Sequence, residues 1–337
     1  MKLFKYIIFS FFICVLLLAA GLAGKVWHWT KTPAPMNADV IDYSVPRGST
    51  IASVAQNMVA AGIRIEPYLF VMYARYTGQD RQLKAGAYEA KRGDTPVDLL
   101  TRMASGQTSK SQFQIIEGWS YRQIRTTLKN NPNITHTLDN LSDAQLLEKL
   151  GAPYDSPEGL FFPDTYVFVP GDTDMDILRR AYTEGQKRLA AVWDARDSEL
   201  PLKTPYEALI LASIIEKETG HEMDRRRVAG VFINRLEKRM LLQTDPTVIY
   251  GMKEAYRGVI TRNDLTTDTP WNTYTRGGLP PTPIASPGLL SLQAAVHPER
   301  HKYLYFVSRG DGTSEFSEDL RGHNRNVNTY ILKKGIQ

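Results

Sequence analysis

The pattern of apolar and polar positions divides the chain before any single residue does. Residues 6–24 pass without a charge and include Ile7, Ile8 and Phe9, then Val15, Leu16, Leu17 and Leu18. At about 1.5 Å per residue this run forms a helix of roughly 28 Å, close to a bilayer core. Trp27 and Trp29 follow where an interfacial aromatic belt is expected. One reading is a retained anchor. The other is a cleavable signal peptide, with Gly21 and Ala23 as a small-x-small site. The length of the run favours the anchor. Lys2 and Lys5 precede it and Lys25 and Lys31 follow, so charge hardly orients it. No second span follows, which places the rest of the chain on one side of a membrane.

After a short Pro-containing tether (Pro33, Pro35), a weak repeat begins. Ser44-Val-Pro-Arg-Gly-Ser-Thr50 leads into the apolar-periodic Ile51 to Met58. Glu89-Ala-Lys-Arg-Gly-Asp-Thr95 leads likewise into Pro96 to Met103, and a looser copy runs from Ile115 through Ser120 to Leu128. Each unit predicts a short strand, a turn at Gly48, Gly93 or Gly118, and a helix N-capped by the Ser, Thr or Asp after the glycine. The strand-turn-helix around Tyr43-x-Val-x-x-Gly-Ser-Thr resembles half of a LysM module, a small peptidoglycan-binding fold. The alternative is a plain α+β packing domain.

Glu158-Gly-Leu-Phe-Phe-Pro-Asp-Thr-Tyr166 reads as a turn-rich hinge whose aromatics pack a junction, and a helix is expected from about Met175 to Trp193. Beyond it helices alternate with long Gly/Pro loops. One start is strong: Thr204 caps, Pro205 takes the first turn, Glu207 closes a capping box, and Gly220 ends the helix. On its wheel Glu218 falls about 20° from Leu211, between Ile214 and Ile215, whereas Glu216 falls about 140° away, toward solvent. An acid among apolar neighbours loses solvation of its charged form, so its pKa rises. A carboxyl kept protonated near neutrality is what a general acid requires. The plain alternative is a helix-end carboxylate turned to water.

Composition changes this picture little. The chain has 337 residues, 42% hydrophobic and 23% charged, room for about two folded domains. Net charge is +5, but four basic residues and no acid lie in the first 31, so the remainder is nearly neutral and a nucleic-acid partner is not indicated. The single cysteine, Cys14, lies in the apolar run, which rules out an intramolecular disulfide and a cysteine metal cluster. His297 and His301 have i, i+4 spacing, but Pro298 interrupts them and no metal or cofactor is expected. G-x-S-x-G, Walker A and G-x-G-x-x-G motifs are lacking.

Downstream of Glu218 the polar residues read as a cleft lining: Asn234, Gln243, Thr244, Asp245, Tyr250, Asn272 and Tyr274, walled by a stiff loop over residues 278–288. Asp245, before Pro246, is equally an N-cap. Aromatic faces beside amides suit sugars, and equally a peptide groove.

These residues match a family. Ala212-Ser-Ile-Ile-Glu-Lys-Glu-Thr219, Val231-Phe-Ile-Asn-Arg-Leu236, Leu242-Gln-Thr-Asp-Pro-Thr-Val-Ile-Tyr-Gly251, Asn272-Thr-Tyr274, Gly278-Leu-Pro-Pro281 and His323-Asn324 resemble the endolytic murein transglycosylases of the YceG-like family. The resemblance covers nearly the whole chain. It implies an inner-membrane, single-pass enzyme facing the periplasm that cuts nascent glycan strands internally and leaves 1,6-anhydro ends, with peptidoglycan synthases as candidate partners. It places the catalytic glutamate at Glu218. The family's histidine two residues before the C-terminal-loop phenylalanine is Ser314 here, which puts any sugar contact at that position in doubt. A lysozyme-like hydrolase, with water held by Asp245 or Glu222, and a non-catalytic scaffold are the rival functions. The expected fold is α+β: anchor 1–31, LysM-like subdomain 32–110, then a mainly helical catalytic region 111–337, made of a linking part 111–170 and a core 171–337.

Overall fold

The N-terminal apolar run becomes α1 (Lys2–Lys31) in a computed structural model that describes residues 2–46, 48–108, 111–169 and 172–332, with side chains from residue 12 onward. Within α1, Phe12–Lys31 is long and apolar enough to cross a membrane. The two tryptophans separate. Trp27 is exposed, whereas Trp29 is buried against Phe70 and Tyr73, with ring centroids 6.5 and 5.8 Å away. Trp29 is therefore a core residue and not part of an aromatic belt.

The chain divides into two units, one of Met1–Gln112, Asn133–Thr135 and Val167–Asp172, the other of Phe113–Pro132, His136–Tyr166 and Thr173–Gln337. In the first, β1 (Val40–Val45), α2 (Ile51–Ala60), α3 (Pro67–Tyr76), β2 (Gly86–Lys91) and α4 (Pro96–Ser105) follow α1. β1 and β2 pair antiparallel with Tyr43 opposite Tyr88, and those rings stack at 5.8 Å. Alternation turns Tyr43, Val45, Tyr88 and Ala90 onto Val54, Met58, Leu99 and Met103. Thr50 accepts the Ser53 N–H at 3.2 Å, and Thr95 exchanges the two bonds of a capping box with Asp98. Gly48 and Gly93 precede these caps at φ 78° and 102°, a conformation that side chains with a Cβ resist.

Strand β3 (Ser111–Gln114) lies at the passage into the second unit, which begins with α5 (Tyr121–Lys129) and α6 (Asp143–Leu150); β4 (Thr165–Phe168) lies at a later passage. Then come α7 (Asp174–Asp194), α8 (Pro205–Glu218), α9 (Glu222–Glu237), α10 (Asp245–Met252), α11 (Arg262–Thr266), α12 (Leu289–Val296), a hairpin of β5 (Tyr305–Ser308) and β6 (Ser314–Ser317), and α13 (Leu320–Val327). The result is a mostly helical α+β chain with small antiparallel sheets.

The core sits around α8, where every residue from 208 to 215 is buried among α7, α9 and α12. A helix apolar on all faces is an interior helix. Each fully buried Leu or Ile there contributes about 1.5–3 kcal/mol. Thr204 caps α8 by accepting the Glu207 N–H at 3.2 Å, but Glu207 returns its carboxylate to Lys203 at 2.5 Å, so the expected capping box is not closed. Nor does Gly220 end the helix: Thr219 leaves it in extended conformation.

Interior placement also corrects Glu216, which the wheel sends to solvent. It is buried and accepts the Gly288 N–H at 3.0 Å and the Ser291 hydroxyl at 2.7 Å, with Arg225 at 3.9 Å. The wheel assumed one wet face, and α12 covers it.

Candidate active site

α8 stops at Glu218, and its last residue faces a cavity of about 370 Å³. Arg235 of α9, Gln243 and Asp245 at the start of α10, Tyr274, Tyr305 and Phe306 of β5, and His323 of α13 complete most of the lining. Threonine makes the connection beneath. Thr244, itself 2% exposed, donates its hydroxyl to Glu218 Oε1. It is also the N-cap of α10 by backbone position, which corrects the reading of Asp245 as that cap. Asp245 occupies the first turn and accepts the Tyr274 hydroxyl at 2.6 Å.

Electrostatics make Glu218 an acid that holds its proton. Burial pushes its carboxyl up to about 7 because the charged form loses its water. The Thr244 hydrogen bond and the Arg235 charge act in the opposite sense, and the Asp245 charge adds to the rise. Arg235 remains at a distance from the carboxylate because backbone carbonyls occupy it: Leu304 at 2.7 Å, Leu242 at 2.8 Å and Leu241 at 3.1 Å. Burial, and secondarily the Arg235 charge, lower the His323 pKa; its ring stacks on Tyr305 at 5.2 Å. Burial and the bond to Asp245 raise the Tyr274 phenol, which stays a hydrogen-bond donor.

The backbone under this site is forced. Gln243 has φ 50°, left-handed for a residue with a Cβ, at a cost on the order of 1–3 kcal/mol. The 272–275 turn holds it there: Gln243 N–H reaches Thr273 O and Thr244 N–H reaches Thr273 Oγ1, both at 3.1 Å. Asn272, 1% exposed, ties that turn by donating to the carbonyls of Thr267, Leu265 and Asp264 at 2.7, 3.1 and 3.3 Å.

Thus Glu218, Gln243, Asp245 and Tyr274 meet at one cavity, with Thr244 directly under the acid. Asn234, Tyr250 and Asn272 do not line it. Asn234 donates to the carbonyls of His301 and Tyr303, both at 2.9 Å. Tyr250 donates to Glu158 at 3.1 Å. Sequence reasoning gave no role to Tyr305 or His323, although His323 stands inside a quoted motif; both line the cavity with Arg235, the neighbour of Asn234. Ser314 is not in the lining; its N–H donates to Asp224 at 2.7 Å. His297 pairs with Asp197 at 2.7 Å and His301 with the Arg227 carbonyl at 2.9 Å. Among the described residues no group of three or more His, Cys, Asp and Glu is arranged to hold a metal ion.

Residues 43–329 match the profile of the YceG-like family. The chain is 28% identical over 311 residues to the endolytic murein transglycosylase of Bacillus subtilis (strain 168), across 87% of this chain and 86% of that one. It is 26% identical over 366 residues to the protein of that name from Streptococcus pneumoniae (strain D39), across 98% of this chain and 66% of the longer relative. A 2.6 Å crystal structure of a yceG-like protein from Listeria monocytogenes superposes with a TM-score of 0.57 at 29% identity, covering 85% of this chain and 98% of that one.

Proposed function

This chain belongs to the YceG-like family, and from that premise we propose that it is a membrane-anchored endolytic lytic transglycosylase of peptidoglycan. The observation that carries the reading is one buried carboxyl, raised to about 7, facing a cavity large enough for a sugar. In this mechanism protonated Glu218 gives its proton to the oxygen of the β-1,4 bond between N-acetylmuramic acid and N-acetylglucosamine. That C–O bond breaks, the glucosamine end leaves as an alcohol, and positive charge develops at the muramyl C1. Glu218, now a carboxylate, takes the proton of the muramyl 6-hydroxyl as O6 attacks C1. The 1,6-anhydro ring closes, the acid is restored and no water is consumed.

One carboxyl suffices because the nucleophile is already tethered, with an effective molarity of about 10⁵ M or more. A pKa near 7 serves both donation and acceptance at neutral pH. Gln243, Asp245 and Tyr274 orient the sugar in this reading; Thr244 orients the acid. Asn234, Tyr250 and Asn272 act on the substrate only by fixing the walls.

The proposal extends to placement. Residues 6–24 span the inner membrane and leave the rest in the periplasm. Residues 32–110 form a LysM-like subdomain, supported by its strand-helix-helix-strand order, and 111–337 the catalytic region, with 111–170 linking and 171–337 as core. Peptidoglycan synthases are the natural partners of an enzyme acting on nascent strands.

Asp245, sharing the cavity with Glu218, favours a second reading in which it holds a water for lysozyme-like hydrolysis. Mass spectrometry of digested glycan separates the two. Anhydromuramyl ends support the lytic reaction; free reducing ends overturn it in favour of hydrolysis. A scaffold without catalysis leaves Glu218→Gln cells unchanged.

A further inference from the structure

A second cavity in the second unit, about 530 Å³, is not the one that Glu218 faces. It opens between the first turn of α5, the turn at Glu158 and α10, and it shares two elements with the first cavity. At the end of α8, Lys217 lines it while Glu218 lines the other. At the start of α10, Pro246, Ile249 and Tyr250 line it while Asp245 lines the other.

Its floor is aromatic and aliphatic, with Tyr121, Tyr250, Tyr256 and Ile249. Its lining carries three cations, Arg122, Lys217 and Lys253, and three acids, Asp143, Glu158 and Glu254, but the acids are already engaged. Glu254 is held by Arg122, and Asp143 by Arg125 at 3.5 Å. Both oxygens of Glu158 are used internally, accepting the Tyr121 N–H at 3.0 Å and the Tyr250 hydroxyl at 3.1 Å. Burial also raises the Glu158 carboxyl to about 7, which reduces its charge. Two ammonium groups are left. Lys217 donates to the Gly118 carbonyl at 3.3 Å, and Lys253 lies 5.9 Å from the Trp271 ring centre, where its charge acts on the adjacent Glu254; among the described residues neither makes a salt bridge. A neutral sugar leaves such ammonium groups unanswered, and a carboxylate answers them.

We infer that this cavity binds the anionic peptide stem carried by the muramyl residues of a glycan strand, with Lys217 and Lys253 pairing to stem carboxylates and the tyrosines covering its aliphatic parts. The inference rests on the proposed substrate. The cavity draws on the same end of α8 and the same start of α10 as the acid's cavity, as a site for a group attached beside the scissile bond should, and its volume lies in the range of small-molecule sites. It gives the enzyme a means to select strands whose stems are intact.

The test is calorimetric titration of the full-length protein in detergent with an acidic tetrapeptide stem freed from sugar, and with the same peptide after amidation of its carboxyls. The free stem is expected to bind and the amidated one is not. Lys217→Gln combined with Lys253→Gln is expected to weaken binding about tenfold, the product of two partly exposed ion pairs. Lys217→Arg combined with Lys253→Arg keeps most of the affinity. Failure of the free stem to bind at millimolar concentration, equal binding of the amidated peptide, or unchanged affinity in the double glutamine variant each overturns the inference. A separate arm offers glycan strands that keep their peptide stems to the unaltered protein. Absence of cleavage there counts against the reaction, while the peptide titration still decides the cavity.

Discussion

Replacing Glu218 by Gln tests the electrostatic argument through stability as well as activity. The carboxyl rises from 4.5 to about 7 on folding, chiefly through burial. Between those values the folded chain keeps a proton that the unfolded chain releases. Stability therefore falls as pH rises through the window, and the loss is complete above about 7. The rise corresponds to about 3 kcal/mol. Gln has nearly the same shape, still accepts from Thr244 and does not titrate. Relative to the unaltered protein, Glu218→Gln should gain about 3 kcal/mol between pH 4 and pH 8. Glu158, also raised to about 7, keeps its own pH dependence in both proteins and cancels in the comparison. Urea unfolding of the two proteins across that range measures the difference, and cleavage of glycan should fall at least about 10²-fold in the same variant. Parallel stability curves would refute the claim that Glu218 enters the fold as an acid held protonated by burial, whatever happens to activity.

Thr244→Val removes the hydroxyl that stabilises the Glu218 carboxylate, so the alkaline limb of the kcat/KM profile should move to higher pH; a limb moving down would contradict the assignment. Tyr250→Phe leaves Glu158 Oε2 without its phenol and should cost about 1–3 kcal/mol, read as a lower urea midpoint. Glu216→Ala should destabilise by a similar amount, because the Gly288 N–H and the Ser291 hydroxyl lose their acceptor; a wild-type midpoint would show that water replaces it.

What the sequence made legible was local. The caps at Thr50, Thr95, Ser120 and Thr204 depend on residues three apart, and each forms in the structure. The helix expected near 175–193 appears as α7 for the same reason. The wheel for α8 was right about its apolar content but presumed a solvent face, and Glu216 shows the limit: its hydrogen-bond donors lie more than 70 residues away. Asn234 and Asn272 carry amides suited to sugars, yet Asn234 is spent on the His301 and Tyr303 carbonyls that only the fold brings near, and Asn272 on the loop just before it. His323 and Tyr305 enter the cavity by chain return, which leaves no periodic signature.

The position of Glu218 at a helix end has a mechanical consequence. Helix termini usually fray, since their last carbonyls lack partners. Here Thr219 bonds Ile215 O at 3.1 Å, its own hydroxyl accepts the His221 N–H at 3.0 Å, and Ile214 and Ile215 are fully buried behind it. The proton donor is thus mounted on a fixed anvil, where amide exchange should track global opening and not local breathing. Another part of the cavity wall is less deeply buried. There α13 presents Leu320, 55% exposed, and buries little beyond Gly322. On the proposed reaction, an acid backed by buried residues and a cavity wall with few of them would suit sideways entry of a long strand, which internal cutting demands and a closed end-pocket forbids.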